Sequence, residues 1–135
     1  HLTFDAASVH AGLADRLERA FPIRSLADAG ALLAFGSDTP VAAPDVFAGL
    51  RAAVRRVGGD GTPLPAPEAI DAESALRAFT HDAARAIGRG HRSGRIRAGF
   101  DADLVLVDHD PVDDLDDLQV LATWSGGRCT YGAVA

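Results

Sequence analysis

The chain holds 135 residues, the length of one small domain, with 47% hydrophobic and 24% charged residues, a balance that excludes a disordered tail or a fibre. A net charge of −6 at pH 7 argues against a general nucleic-acid binder, which presents a basic face to phosphates, and no apolar run approaches the ~20 residues of a membrane helix. A single cysteine, Cys129, excludes an internal disulfide and a multi-cysteine zinc site.

The chain opens on His1-Leu2-Thr3-Phe4 and contains no methionine, as expected of a processed product or a piece of a longer chain, with a cytoplasmic location favoured. All 13 basic residues are arginine, which points to a biased genome rather than to a mechanism. Val9, Leu13, Leu17 and Phe21 recur at helical spacing until Pro22 stops the run. Ser25 is expected to cap a short helix, Leu26 to Ala29, ending at Gly30. Ala31 to Phe35 is a continuous apolar run closed by Gly36, and its lack of alternation predicts a parallel-sheet strand buried on both faces. Asp45 caps a helix with Val46, Phe47, Leu50, Val54 and Val57 inside and Arg51, Arg55 and Arg56 outside. Gly58 to Pro67 is turn-rich, and a third helix runs from the Asp71 cap through Leu76, Phe79, Ala83 and Ile87 to Gly88.

Near Ser93 the period changes. Arg95 to Ala98 alternates, Gly99-Phe100-Asp101 turns, and Asp103 to Asp108 is predicted to be a buried strand. Val120 to Trp124 and Arg128 to Tyr131 flank Ser125-Gly126-Gly127, where glycines supply the positive φ of a tight antiparallel hairpin. The expected division is therefore an α/β zone over 1–92 and an all-β zone over 93–135.

Gly36-Ser37-Asp38-Thr39-Pro40 is the candidate for chemistry. In parallel α/β structures, reactive side chains sit in loops just past the carboxyl ends of strands, and Asp38 lies three residues beyond Phe35. Pro40 stiffens the loop, and the hydroxyls of Ser37 and Thr39 stand ready to orient the carboxylate. Such a carboxylate could bind a metal, act as a base, or cap the next turn. The other histidines lack metal-ligand spacing: His10 reads as partly exposed, His81 as facing solvent or a neighbouring domain, His91 and His109 as solvated. Arg85, Arg89, Arg92, Arg95 and Arg97 lack the phosphate-loop pattern. The aspartates between Asp101 and Asp117 lack the spacing of a calcium loop. The two clusters read as neighbouring solvated faces that partly compensate each other. Cys129 reads as a small packed residue in a strand.

Gly94-Arg95-Ile96, Gly99, Ala102-Asp103-Leu104-Val105-Leu106-Val107-Asp108, then Thr123-Trp124-Ser125-Gly126-Gly127-Arg128 and Tyr131, closely resemble the C-terminal segment of the metal-dependent amidohydrolase superfamily. Leu76-Arg77-Ala78-Phe79-Thr80, Ala83-Ala84-Arg85-Ala86-Ile87-Gly88 resembles the helix before it. Ala34-Phe35-Gly36-Ser37-Asp38-Thr39-Pro40-Val41, followed by Gly49 to Val54, is similar to a narrower subgroup, the N-substituted formamide deformylase-like enzymes. The motifs occur in the same order over nearly the whole chain; Phe100 departs, at a turn where the family usually has lysine.

The resemblance implies the last units of a (β/α)8 barrel followed by closing strands of a small β-sandwich, an incomplete fold on its own. It implies that Asp38 matches the aspartate after the eighth barrel strand, which touches a divalent metal, expected to be zinc, and handles the proton of the attacking water. It implies that His1 and Asp5 match a His-x-x-x-Asp near substrate after the seventh strand. The family's metal-binding histidines come from earlier strands outside this sequence. A catalytic zinc normally has at least three protein ligands, so the isolated chain is expected to hold no metal and to be inactive. The expected partners are a small-molecule amide and the rest of the barrel or another copy, with neither nucleic acid nor membrane. The competing expectation is a non-catalytic complementing or oligomerising fragment.

Overall fold

The computed structural model describes residues 1–132, so the last three residues of the 93–135 zone lie outside the described residues. Helices come first: α1 (Ala6–Gly12), α2 (Ile23–Asp28), α3 (Val46–Arg55), α4 (Ala72–Phe79) and α5 (His81–Ala86). Strands follow: β1 (Leu104–Val107), β2 (Val120–Ser125) and β3 (Arg128–Tyr131), antiparallel in the order β1-β2-β3. No helix among the described residues is long and apolar enough to cross a membrane.

Local chemistry sets several boundaries. Asp45 Oδ1 accepts from the Ala48 amide at 2.9 Å, and Asp71 Oδ1 from the Ser74 amide at 2.7 Å, so both expected caps form. Gly126 and Gly127 take φ of 56° and 80°, the positive values a two-residue hairpin needs. The expected helix through Val9 to Phe21 breaks instead after Gly12, a residue that weakens helix interiors, and continues as a 3₁₀ segment over Ala14–Arg19. Ser25 is not a cap: Pro22 holds that place, and Ser25 lies inside α2 with its amide 2.9 Å from Glu68 Oε2 and its hydroxyl on the same carboxylate. The helix after Asp71 is split at Thr80, whose hydroxyl bonds back to the Leu76 carbonyl at 2.7 Å. That backbonding bends helices, and it leaves Ile87 72% exposed.

Four expectations about burial are overturned. Ala31 to Phe35 lies outside any sheet, and Leu32 is 43% exposed. A strand needs hydrogen-bonded neighbours, and the sheet among the described residues is the antiparallel β1-β2-β3 alone. β1 is not a buried strand either: Val105 and Leu106 are exposed, because the sheet carries no covering layer over them among the described residues. Arg56, expected outside, is 1% exposed. It ends α3 in the left-handed region, so its side chain turns inward and its guanidinium donates to the carbonyls of Ala20, Phe21 and Pro65 at 3.1–3.2 Å. Burial pushes its pKa down, against the attraction of Glu68. Val57, one residue beyond that turn, leaves the inner face and is exposed.

The core gathers Ile23, Leu50, Ala53, Ile70, Ala75 and Leu115, with Leu2, Phe35 and Phe79 packed against it. α3 and α4 approach closely because Gly49 has no side chain: a Cβ there would come within 2.9 Å of the Phe79 ring. Phe35 and Phe79 meet edge to face at 5.3 Å, and the Phe35 amide donates to the Ala78 carbonyl at 2.9 Å.

The basic and acidic clusters compensate each other as expected. Arg92 places Nε and Nη2 2.8 Å from the two oxygens of Asp101, with Arg89 and Ser93 on the same carboxylate at 3.2 Å.

Leu50→Ala is expected to lower stability by about 2–5 kcal/mol, read as a shift in urea midpoint. The hydrogen bonds from Arg92 are the main reason that the Asp101 carboxyl falls from 3.8 to about 2. Its contribution is complete above the ordinary value and disappears as pH falls through the lowered one. Asp101→Asn should therefore be less stable than wild type near neutral pH, with the gap closing as unfolding is measured down through pH about 2. An equal gap at every pH counts against the assignment.

Candidate functional site

The three sequence-predicted site residues come together from two segments far apart in the sequence. His1 opens a turn whose carbonyl accepts from the amides of Phe4 at 3.1 Å and Asp5 at 2.8 Å. Asp5 stands at the start of α1, yet its carboxylate does not cap the helix. It takes His1 Nδ1 instead, at 2.6 Å. His1 Nε2 lies 2.9 Å from Asp38 Oδ2. The result is a carboxylate–imidazole–carboxylate chain, Asp5–His1–Asp38, with each side chain 43–59% exposed.

Asp38 owes its place to the backbone. It takes φ of 58°, a left-handed conformation that aspartate tolerates better than most residues. Its carbonyl accepts from Val41 at 2.8 Å and Ala42 at 3.3 Å, closing a turn. The flanking hydroxyls do not orient the carboxylate. Ser37 Oγ bonds Thr39 Oγ1 at 3.0 Å, and Thr39 Oγ1 donates to the Ala42 carbonyl at 3.1 Å, because the left-handed turn directs both away from Oδ1 and Oδ2.

The hydrogen bond to Asp38, then the hydrogen bond and charge of Asp5, raise the His1 pKa above its usual 6.5. Protonated imidazole donates at both nitrogens, whereas the neutral ring has a single donor for two carboxylates. The two-sided contact is therefore complete at low pH and weakens as pH rises through that raised value.

Among the described residues no group of three or more histidine, cysteine or acidic side chains could hold a divalent metal, and both His1 nitrogens are engaged by carboxylates. Asp38 fits as one carboxylate ligand of a larger set, and the described residues do not make up a complete site.

The remaining histidines do not join the cluster. His10 Nε2 sits 2.5 Å from the Pro63 carbonyl, and His91 is exposed. His81 is buried rather than solvent-facing, with Nδ1 2.6 Å from Asp82 Oδ1, because the break at Thr80 turns it inward. His109 is half-buried beside Asp108 at 2.9 Å. Cys129 is exposed rather than packed, since β3 is exposed along its length. The contact between His1 and Asp38, 37 positions apart, has no local signal; the spacing of four between His1 and Asp5 does, being one helical turn.

The profile of the Amidohydrolase family matches residues 2–131. The chain belongs to the amidohydrolase family. It is 41% identical over 115 residues to N-substituted formamide deformylase of Arthrobacter pascens, covering 82% of this chain and 21% of that protein. It is 35% identical over 99 residues to imidazolonepropionase of Xanthomonas campestris pv. campestris, covering 70% and 21%. Among solved structures, a metal-dependent hydrolase of Pyrococcus horikoshii superposes with a TM-score of 0.68 at 27% identity, covering 82% of this chain and 23% of that one. An amidohydrolase of Thermotoga maritima superposes with a TM-score of 0.62 at 26% identity, covering 87% and 26%. This amidohydrolase chain spans about a quarter or less of the length of the curated relatives it matches.

In the metal-free chain, proton NMR is expected to place the His1 pKa above 6.5. Asp38→Asn should bring it back toward that value, because the first cause of the shift is then gone. An unchanged His1 titration in Asp38→Asn would show that the contact does not form in solution.

Proposed function

We propose that this chain is the C-terminal portion of a metal-dependent hydrolase that cleaves non-peptide C–N bonds in small amides. Residues 1–92 would supply the last units of a (β/α)8 barrel, and 93–135 the closing strands of a β-sandwich. The observation that carries the reading is Asp38: a half-exposed carboxylate just beyond an apolar segment, bonded to His1 at 2.9 Å.

A divalent metal, zinc being compatible with carboxylate and imidazole donors, would be held in part by Asp38 and would supply a nucleophilic water by lowering its pKa to about 7. Asp38 would accept the proton of the attacking water. As the water oxygen bonds to the amide carbon and the C–N bond breaks, Asp38 returns the proton to the departing nitrogen. His1 and Asp5 would stand near the substrate. The other ligands would belong to parts of the barrel outside this sequence, and the backbone of Leu32 to Ala34, between the hydrogen-bonded amides of Ala31 and Phe35, is where neighbouring strands would pair. The second reading is a complementing or oligomerising fragment with no activity of its own.

The test is turnover of the complete, metal-loaded protein on N-substituted amides, with bound metal counted in parallel. Asp38→Asn keeps the shape of the side chain and removes its proton-accepting role, so kcat is expected to fall by about 10²–10⁴. Turnover within a few-fold of wild type at equal metal content would return Asp38 to the status of a turn residue. If no amide is turned over by the loaded wild type, the fragment reading stands.

A further inference from the structure

The Asp5–His1–Asp38 chain supports one step more, which rests on the reading of Asp38 as proton acceptor. An imidazole has two polar atoms, and in His1 both are engaged: Nδ1 with Asp5 Oδ2 at 2.6 Å, Nε2 with Asp38 Oδ2 at 2.9 Å. The ring has no polar atom left for a substrate. We infer that His1 is a positioning residue that holds the Asp38 carboxylate in its working orientation, and that Asp5 fixes the His1 ring in turn.

The surroundings of Asp38 make such a brace necessary. The side chain is 59% exposed, and among the described residues its carboxylate takes no hydrogen bond from Ser37 or Thr39, which bond elsewhere. His1 is its hydrogen-bond partner, reached across 37 positions of sequence. Asp5 shows the same economy from the other side: at the head of α1 its carboxylate forgoes the amides it could cap and takes the ring. Asp5 acts on Asp38 only through His1, so removing Asp5 after His1 should change nothing further.

That coupling makes the inference testable in the complete protein. His1→Ala, His1→Gln, Asp5→Asn and the double variant His1→Ala/Asp5→Asn are compared with wild type and Asp38→Asn by crystal structure, bound metal, kcat and KM. In His1→Ala the Asp38 carboxylate is expected to leave its wild-type orientation, and kcat to fall by roughly 10- to 100-fold, the scale of a misplaced reacting group. KM should stay within about threefold, the signature of a loss confined to the transition state. His1→Gln, whose amide can still donate to Asp38, should recover part of kcat. Asp5→Asn should cost less than His1→Ala, and the double variant should equal His1→Ala. A rise in KM at constant kcat would assign His1 to substrate binding and overturn the inference, as would additive losses or an unmoved Asp38 in His1→Ala. If Asp38→Asn itself retains turnover, the proton-acceptor reading falls, and the crystallographic orientation of Asp38 in His1→Ala still decides whether His1 holds it.

Discussion

The site depends on a shared anchor. Phe35 is tied to the end of α4 twice, by its amide on the Ala78 carbonyl and by its ring against Phe79. Leu2 packs against the same core. Asp38 follows Phe35 by three residues and His1 precedes Leu2 by one, so both side chains are short levers on one apolar body. The left-handed turn at Asp38 and the turn opened by His1 then carry the two groups into hydrogen-bonding range. The polar contact is set by apolar packing on either side of it.

Ion pairs do comparable work at the other end. Arg55 meets both oxygens of Asp116 at 2.7 and 2.6 Å, and the Leu115 carbonyl accepts from Arg51 at 3.4 Å. Leu115 enters the core beside Leu50 and Ala53, so the loop between β1 and β2 is joined to α3 by one buried side chain and two arginines. Paired guanidinium–carboxylate forks are directional, and here they orient a loop whose apolar foothold is small. Asp101, gripped by Arg92 and Arg89, does the same where the helical and β zones join.

What the sequence made legible was local. The caps at Asp45 and Asp71 and the Gly126-Gly127 hairpin depend on residues within a few positions of each other, and they form as read. Helices up to Ala86 and strands from Leu104 follow the same local reading. Ala31 to Phe35 has the composition of an inner strand, but composition cannot supply ladder partners, and none lies among the described residues. Arg56 and His81 were misread because their burial follows from single backbone departures, a left-handed cap and a helix break, that leave no trace in hydrophobic spacing. Asp38 could be singled out as a residue by its loop, and His1 and Asp5 by resemblance. The bond joining them could not, since it spans a distance only the folded chain closes.

Arg56 gives the composition of this chain a further meaning. Its guanidinium reaches three carbonyls on two separate stretches, Ala20-Phe21 and Pro65, from a single rigid plane. A lysine in the same pocket would bring one compact ammonium on a free-turning stem, able to satisfy those acceptors only by drawing them toward a point. The spacing of the two stretches is thus a template of the fork's own dimensions. Across most of the surface arginine and lysine would be exchangeable spellings of one charge; at residue 56 the spelling is also a ruler.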